Sequence, residues 1–85
     1  MATQGPTREE TSAVFGDVVR TYRRAAGLTQ EAVAERAGLS TKHVARVERG
    51  ERTPTVHAVL LLASGLGVPA VDLVGELADR LGLAP

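Results

Sequence analysis

Cysteine is absent from this chain. Disulfide scaffolds and cysteine-ligated zinc sites are thereby excluded, and the composition fits a reducing compartment. Net charge is lacking as well, because ten Lys and Arg balance ten Asp and Glu. Any attraction to a polyanion must therefore be confined to one face. Long apolar runs are also missing. The charge-free stretch from Val56 to Val71 is interrupted by His57, Ser64, Gly65, Gly67 and Pro69. It falls short of the roughly 20 apolar residues of a membrane span. The opening Met1-Ala2-Thr3-Gln4-Gly5-Pro6 has no basic-then-apolar signal pattern. The expectation is a cytoplasmic protein with no membrane partner.

What is present suffices for one small domain. Of 85 residues, 44% are apolar, too many for a disordered chain. A chain of this size buries only about 60% of its unfolded surface, so its core is thin and association is a natural supplement. The neutral total conceals an uneven distribution. Residues 20–52 carry eight cations (Arg20, Arg23, Arg24, Arg36, Lys42, Arg46, Arg49 and Arg52) against four carboxylates, a net +4. The flanking segments 1–19 and 53–85 are each at −2.

Turn and cap residues divide the chain into five helices with no alternating strand pattern, an all-α, five-helix bundle. Residues 1–11 are polar, lack an apolar period and read as a disordered arm; residues 12–82 form the domain and residues 83–85 a tail. From Ser12, Val14, Phe15, Val18, Val19, Tyr22 and Ala26 recur at three- and four-residue steps, ending at Gly27. Thr29 and Ser40 are N-caps of the second and third helices, each with a flanking hydrophobic staple, and Gly38 separates them. The third helix ends at Gly50. Thr55 caps a fourth, with Val56, Val59, Leu60, Leu62, Ala63 and Leu66 as its apolar face and Gly67 as its end. Pro69 suits the first turn of a fifth helix, which Gly75 either weakens or breaks in two.

The second and third helices fit a helix-turn-helix, joined by a tight turn through Gly38 and Leu39. Val33, Ala37, Leu39, Val44 and Val47 form the inner face, which leaves Thr41, Lys42, Ala45, Arg46 and Arg49 pointing outward. Lys42 and Arg46, four residues apart, repel each other unless an anion lies opposite.

The string Phe15-Gly16 … Arg23 … Gly27-Leu28-Thr29-Gln30-Glu31 … Ala34-Glu35-Arg36-Ala37-Gly38-Leu39-Ser40 … Val47-Glu48-Arg49-Gly50 … Pro54 … Leu66-Gly67-Val68 resembles the phage repressor/Cro-like (XRE-type) DNA-binding domain over about residues 15–74. The resemblance implies a sequence-specific, double-stranded DNA-binding transcription regulator of repressor type, with the helix from about Thr41 to Arg49 in the major groove. It implies base contacts from Ser40, Thr41, Lys42 and Arg46. Phosphate contacts are implied for Gln30, His43, Arg49 and Arg52, and an internal ion pair for Arg23 with Glu48. Glu51 departs from the family pattern, in which that loop is often basic.

One such domain contacts one half-site, so a homodimer on a pseudo-palindromic operator is expected. Its interface is assigned to Leu61, Leu73, Val74, Leu77 and Leu81, apolar positions beyond the needs of a minimal core. The competing reading is a protein-interaction module, of a toxin–antitoxin or larger regulatory protein, that retains the fold. No enzyme is expected. Gly65-Leu66-Gly67-Val68-Pro69-Ala70 matches a dinucleotide fingerprint only formally, since it follows a helix. No nucleophile and base are paired, and His43 and His57 read as surface residues. Neither a cofactor nor a metal is implied.

Overall fold

The computed structural model describes residues 5–83. Five helices run in order: α1 (Arg8–Ala25), α2 (Gln30–Ala37), α3 (Thr41–Glu48), α4 (Val56–Leu66) and α5 (Ala70–Arg80). The described residues contain no strand. No single helix among them is long and apolar enough to cross a membrane.

The first helix begins four residues before the expected Ser12, inside the segment read as an arm. Thr7 is its N-cap and forms a capping box: Glu10 N–H donates to Thr7 Oγ1 at 3.0 Å, and Thr7 N–H donates to Glu10 Oε1 at 2.7 Å. Both orphan amides are satisfied by neighbours three residues apart, and Glu9 and Glu10 also suit the positive end of the helix dipole. Residues 1–4 of that arm, and residues 84–85 of the expected tail, lie outside the described residues. Ser12 is instead buried, with its hydroxyl 2.8 Å from Thr53 Oγ1 in the loop before α4.

Thr29, Ser40 and Thr55 cap α2, α3 and α4, each accepting a hydrogen bond at 3.0 Å from the backbone amide three residues on. Pro69 stands just ahead of α5 as its N-cap, without a side-chain hydrogen bond, and α5 continues unbroken through Gly75. Between α2 and α3 the chain reverses at Gly38, with φ 74°. Leu39 N–H then returns to Ala34 C=O at 2.9 Å. A Cβ on Gly38 would meet nothing within 4 Å, so any side chain there is opposed by backbone torsion alone. Gly38→Val is therefore expected to destabilise the domain by about 2 kcal/mol, since a β-branched residue is disfavoured at positive φ. Thermal denaturation checks this: the valine variant should melt roughly 8–16 °C below the parent. Gly38→Asn should lose less, because asparagine tolerates the left-handed region.

The core draws on every helix: Phe15, Val18 and Val19; Val33 and Ala34; Val44 and Val47; Leu62, Ala63 and Leu66; and Leu73. Glycines allow two close helix approaches. A Cβ on Gly16 of α1 would lie 2.3 Å from Val47 O of α3. One on Gly65 of α4 would lie 2.8 Å from Val33 O and 2.9 Å from Ala37 Cβ of α2. Gly65, part of the discarded dinucleotide pattern, thus has a packing role. α5 packs against α1 and α4; its Leu73 is fully buried in the core and its Arg80 reaches Asp17 of α1 at 2.7 Å.

Two faces differ from expectation. On α4, Val56 is 79% and Leu60 53% exposed, while Ala58, Leu62, Ala63 and Leu66 turn inward. Leu61, expected outside the stripe, is half-buried. With so many apolar residues in α4, periodicity could not select its inner face; contact with α2 does. On α5, Leu73 is fully buried within its own domain and so cannot belong to a dimer interface. Val74 remains exposed, and Leu77 and Leu81 are half-buried, Leu77 packing against the core.

Candidate nucleic-acid interface

α3 is two-faced by construction. Val44, Val47 and Glu48 are buried beneath it, while Thr41, Lys42 and Arg49 are exposed and His43, Ala45 and Arg46 half-buried. Lys42, Arg46 and Arg49 follow one another at four- and three-residue steps, along one strip of the helix. Ser40, at the head of α3, is exposed, but its hydroxyl oxygen accepts from His43 N–H. Among the described residues, no carboxylate pairs with Lys42, Arg46 or Arg52. Their charges are available to an anion.

The strip is held by one buried carboxylate. Glu48, 3% exposed, accepts from Arg23 Nε at 2.5 Å and from Arg23 Nη2 at 3.0 Å. The same guanidinium donates to Leu28 O at 3.0 Å, tying in the turn ahead of α2. Gln30 Nε2 donates to Glu48 Oε1 at 3.0 Å. Arg20, which the sequence reading left without a role, donates to Glu48 C=O at 2.7 Å and brings its Nε to 3.7 Å from Oε1. Its only sequence signal is its place three residues before Arg23, on the same side of α1. Burial pushes the Glu48 carboxyl up, but hydrogen bonds from Arg23 and Gln30 and the charges of Arg23 and Arg20 outweigh it, holding the group below its ordinary value. One charged side chain thus fixes the end of α3 relative to α1 and to the start of α2.

Two expected phosphate ligands have other partners in this structure. Gln30 has one N–H committed to Glu48, and its carboxamide has a second to offer. Arg49 forms a bidentate pair with Glu51, Nε to Oε2 at 2.9 Å and Nη2 to Oε1 at 3.1 Å. His43 is lowered from its ordinary pKa by burial and then by the nearby charge of Arg52. At neutral pH it offers a hydrogen bond rather than a full charge.

Family comparison identifies this arrangement. A family model described as a helix-turn-helix domain matches residues 14–77, spanning most of α1 and all of α2, α3 and α4. The chain belongs to the helix-turn-helix domain family. It is 50% identical over 52 residues to an uncharacterized HTH-type transcriptional regulator of Sinorhizobium fredii, covering 61% of this chain and 68% of the relative. It is 36% identical over 70 residues to control protein C.SmaI of Serratia marcescens, covering 82% and 79%. Among solved structures, the restriction-modification controller protein C.AhdI from Aeromonas hydrophila superposes with a TM-score of 0.69 at 38% identity, over 72% of this chain and 92% of that one. The five-helix, all-α architecture and the repressor/Cro-like (XRE-type) resemblance agree with these relatives. In this helix-turn-helix domain, α2 and α3 are the motif, and the Glu48 cluster joins that motif to α1.

Proposed function

We propose that this helix-turn-helix domain is a sequence-specific, double-stranded DNA-binding transcription regulator of repressor type, cytoplasmic and without catalytic activity. The observation that carries the reading is the outward strip of α3: Lys42 is exposed and Arg46 half-buried, and neither has a carboxylate partner among the described residues. Such a helix suits the major groove, where Arg or Lys donates to guanine O6 and N7. Ser40 and Thr41 at the head of α3 complete the base-facing set. Gln30 through its second N–H, together with His43, Arg49 and Arg52, supplies phosphate contacts.

The same reading makes the protein a homodimer on a pseudo-palindromic operator. Val74, with the partly exposed Leu61, Leu77 and Leu81, supplies apolar surface for a two-fold contact. At micromolar concentration the parent should sediment as a dimer, and Val74→Glu should sediment as the 8.9 kDa monomer. A parent that sediments as a monomer removes the dimer from the reading.

Selection of bound sequences from a random duplex pool tests the function. The expected outcome is a two-fold motif with half-sites about one helical turn apart. Absence of salt-sensitive retardation at micromolar protein would favour the protein-interaction module instead. Arg46→Ala should relax base preference at one or two positions and lose about 1–3 kcal/mol on the best site. Arg52→Ala should weaken all duplexes alike and reduce the salt slope by about one. An unchanged motif with Arg46→Ala would contradict the base-reading role.

A further inference from the structure

Arg49 differs from the other cations of the interface in being already occupied. Its two bonds to Glu51, at 2.9 and 3.1 Å, have the parallel fork geometry that a phosphate would take. The local backbone keeps the pair together. The chain turns at Gly50, with φ 73° and its would-be Cβ 3.0 Å from Ala13 Cα. Glu51 N–H then donates to Arg46 C=O at 2.9 Å, which folds the loop back onto the end of α3. Both side chains are about half exposed, at 54% and 51%, so a duplex phosphate has access to them. The carboxylate also stays charged: hydrogen bonds from Arg49, then the charges of Arg49 and Arg46, hold it below its ordinary value.

We propose that Glu51 is a positioning residue that brakes duplex binding: it holds the Arg49 guanidinium in the free protein, and a backbone phosphate must displace it before Arg49 makes a contact. The inference rests on the DNA-binding reading above and assigns that face a built-in attenuator of sequence-independent affinity. While the pair persists, Arg49 neutralises no phosphate and releases no counterion, so both the affinity and its salt dependence stay below what the exposed cations would otherwise supply.

The test is binding of a short random-sequence duplex by the full chain across a salt series, with the parent, Glu51→Gln, Arg49→Ala and the double variant. Glu51→Gln is expected to bind about two- to five-fold more tightly, the worth of an exposed ion pair. Its log–log salt slope should steepen by up to about 0.9, in proportion to the share of parent complexes in which Glu51 still keeps Arg49 from its phosphate. Arg49→Ala should lose more affinity in the Glu51→Gln background than in the parent, which a purely structural role for Glu51 would not produce. Parent-like affinity and slope in Glu51→Gln overturn the brake while leaving the regulator reading intact. A gain that survives Arg49→Ala also overturns it, since Glu51 would then act by repelling phosphate directly. Absence of salt-sensitive binding by both the parent and Glu51→Gln removes the regulator reading, and the brake with it.

Discussion

Gly16→Ala is expected to melt roughly 12–24 °C below the parent, from a net loss of about 3 kcal/mol. The new Cβ would stand 2.3 Å from Val47 O and 2.8 Å from Glu48 O, where ordinary contact begins at 3.4 Å. Both obstacles are backbone carbonyls of α3, so no side-chain rotation relieves them. α1 must withdraw by about 1 Å, which loosens the core around Phe15 and Val19 and lengthens the bonds to Glu48. Overpacking typically destabilises by about 1–3 kcal/mol and occasionally by more, and two backbone obstacles, 2.3 and 2.8 Å from the new Cβ, put the gross loss here at about 4 kcal/mol. Alanine's better helix propensity returns only about 1 kcal/mol. Gly75 supplies an internal control, because a Cβ there meets nothing within 4 Å. Gly75→Ala should therefore stabilise by about 0.5–1 kcal/mol. Thermal denaturation of the two variants, the same substitution with opposite signs, measures the approach of α1 to α3. Equal melting of Gly16→Ala and the parent would mean that the helices are not held this closely.

Glu48→Ala is expected to be comparably severe, at about 3–5 kcal/mol. Removing the carboxylate leaves Arg23, with only 13% of its side chain exposed, facing a cavity without its counterion. Gln30 and Arg20 lose a partner in the same step. The pair's net worth against an apolar replacement is far smaller than this loss, because most of the loss is the stranded charge. Acid titration follows from the same geometry. The folded-state pKa of Glu48 lies below its ordinary value, so the folded protein binds that proton less readily than the unfolded chain does. The stabilisation is complete above the unfolded-state pKa of about 4.3 and is lost as pH falls through the lower folded-state value. Glu48→Gln should thus be less stable than the parent at pH 7 and should lose less stability between about pH 5 and pH 3. A parent and a Glu48→Gln variant with parallel acid profiles would show that Glu48 carries no such linkage.

Much of the fold was legible because its signals are local. Thr29, Ser40 and Thr55 cap helices through hydrogen bonds that span three residues, and Gly38 and Gly67 close helices at positive φ. The start of α1 was equally local yet missed. Its first turn is entirely polar, so a reading led by apolar period begins at Ser12 and passes over the box formed by Thr7 and Glu10. The outward face of α3 followed from the spacing of Val44 and Val47, which alone oriented Lys42 and Arg46. The availability of Gln30 and Arg49 did not follow, because the partner of each depends on how the chain returns upon itself.

The sequence by itself determined where helices end, which residues turn the chain between α2 and α3, and which side of α3 is polar. These properties are decided by hydrogen bonds and torsions within about four residues. Only the tertiary structure decided which face of α4 is buried, that Leu73 belongs to the core, and that α1 and α4 each carry a glycine at a helix contact. Tertiary structure also gathered Arg20, Arg23 and Gln30, which lie 28, 25 and 18 residues from Glu48, around a single carboxylate. An apolar helix such as α4 has no phase of its own until a neighbour packs against it, and a buried charge has no partners until distant segments meet.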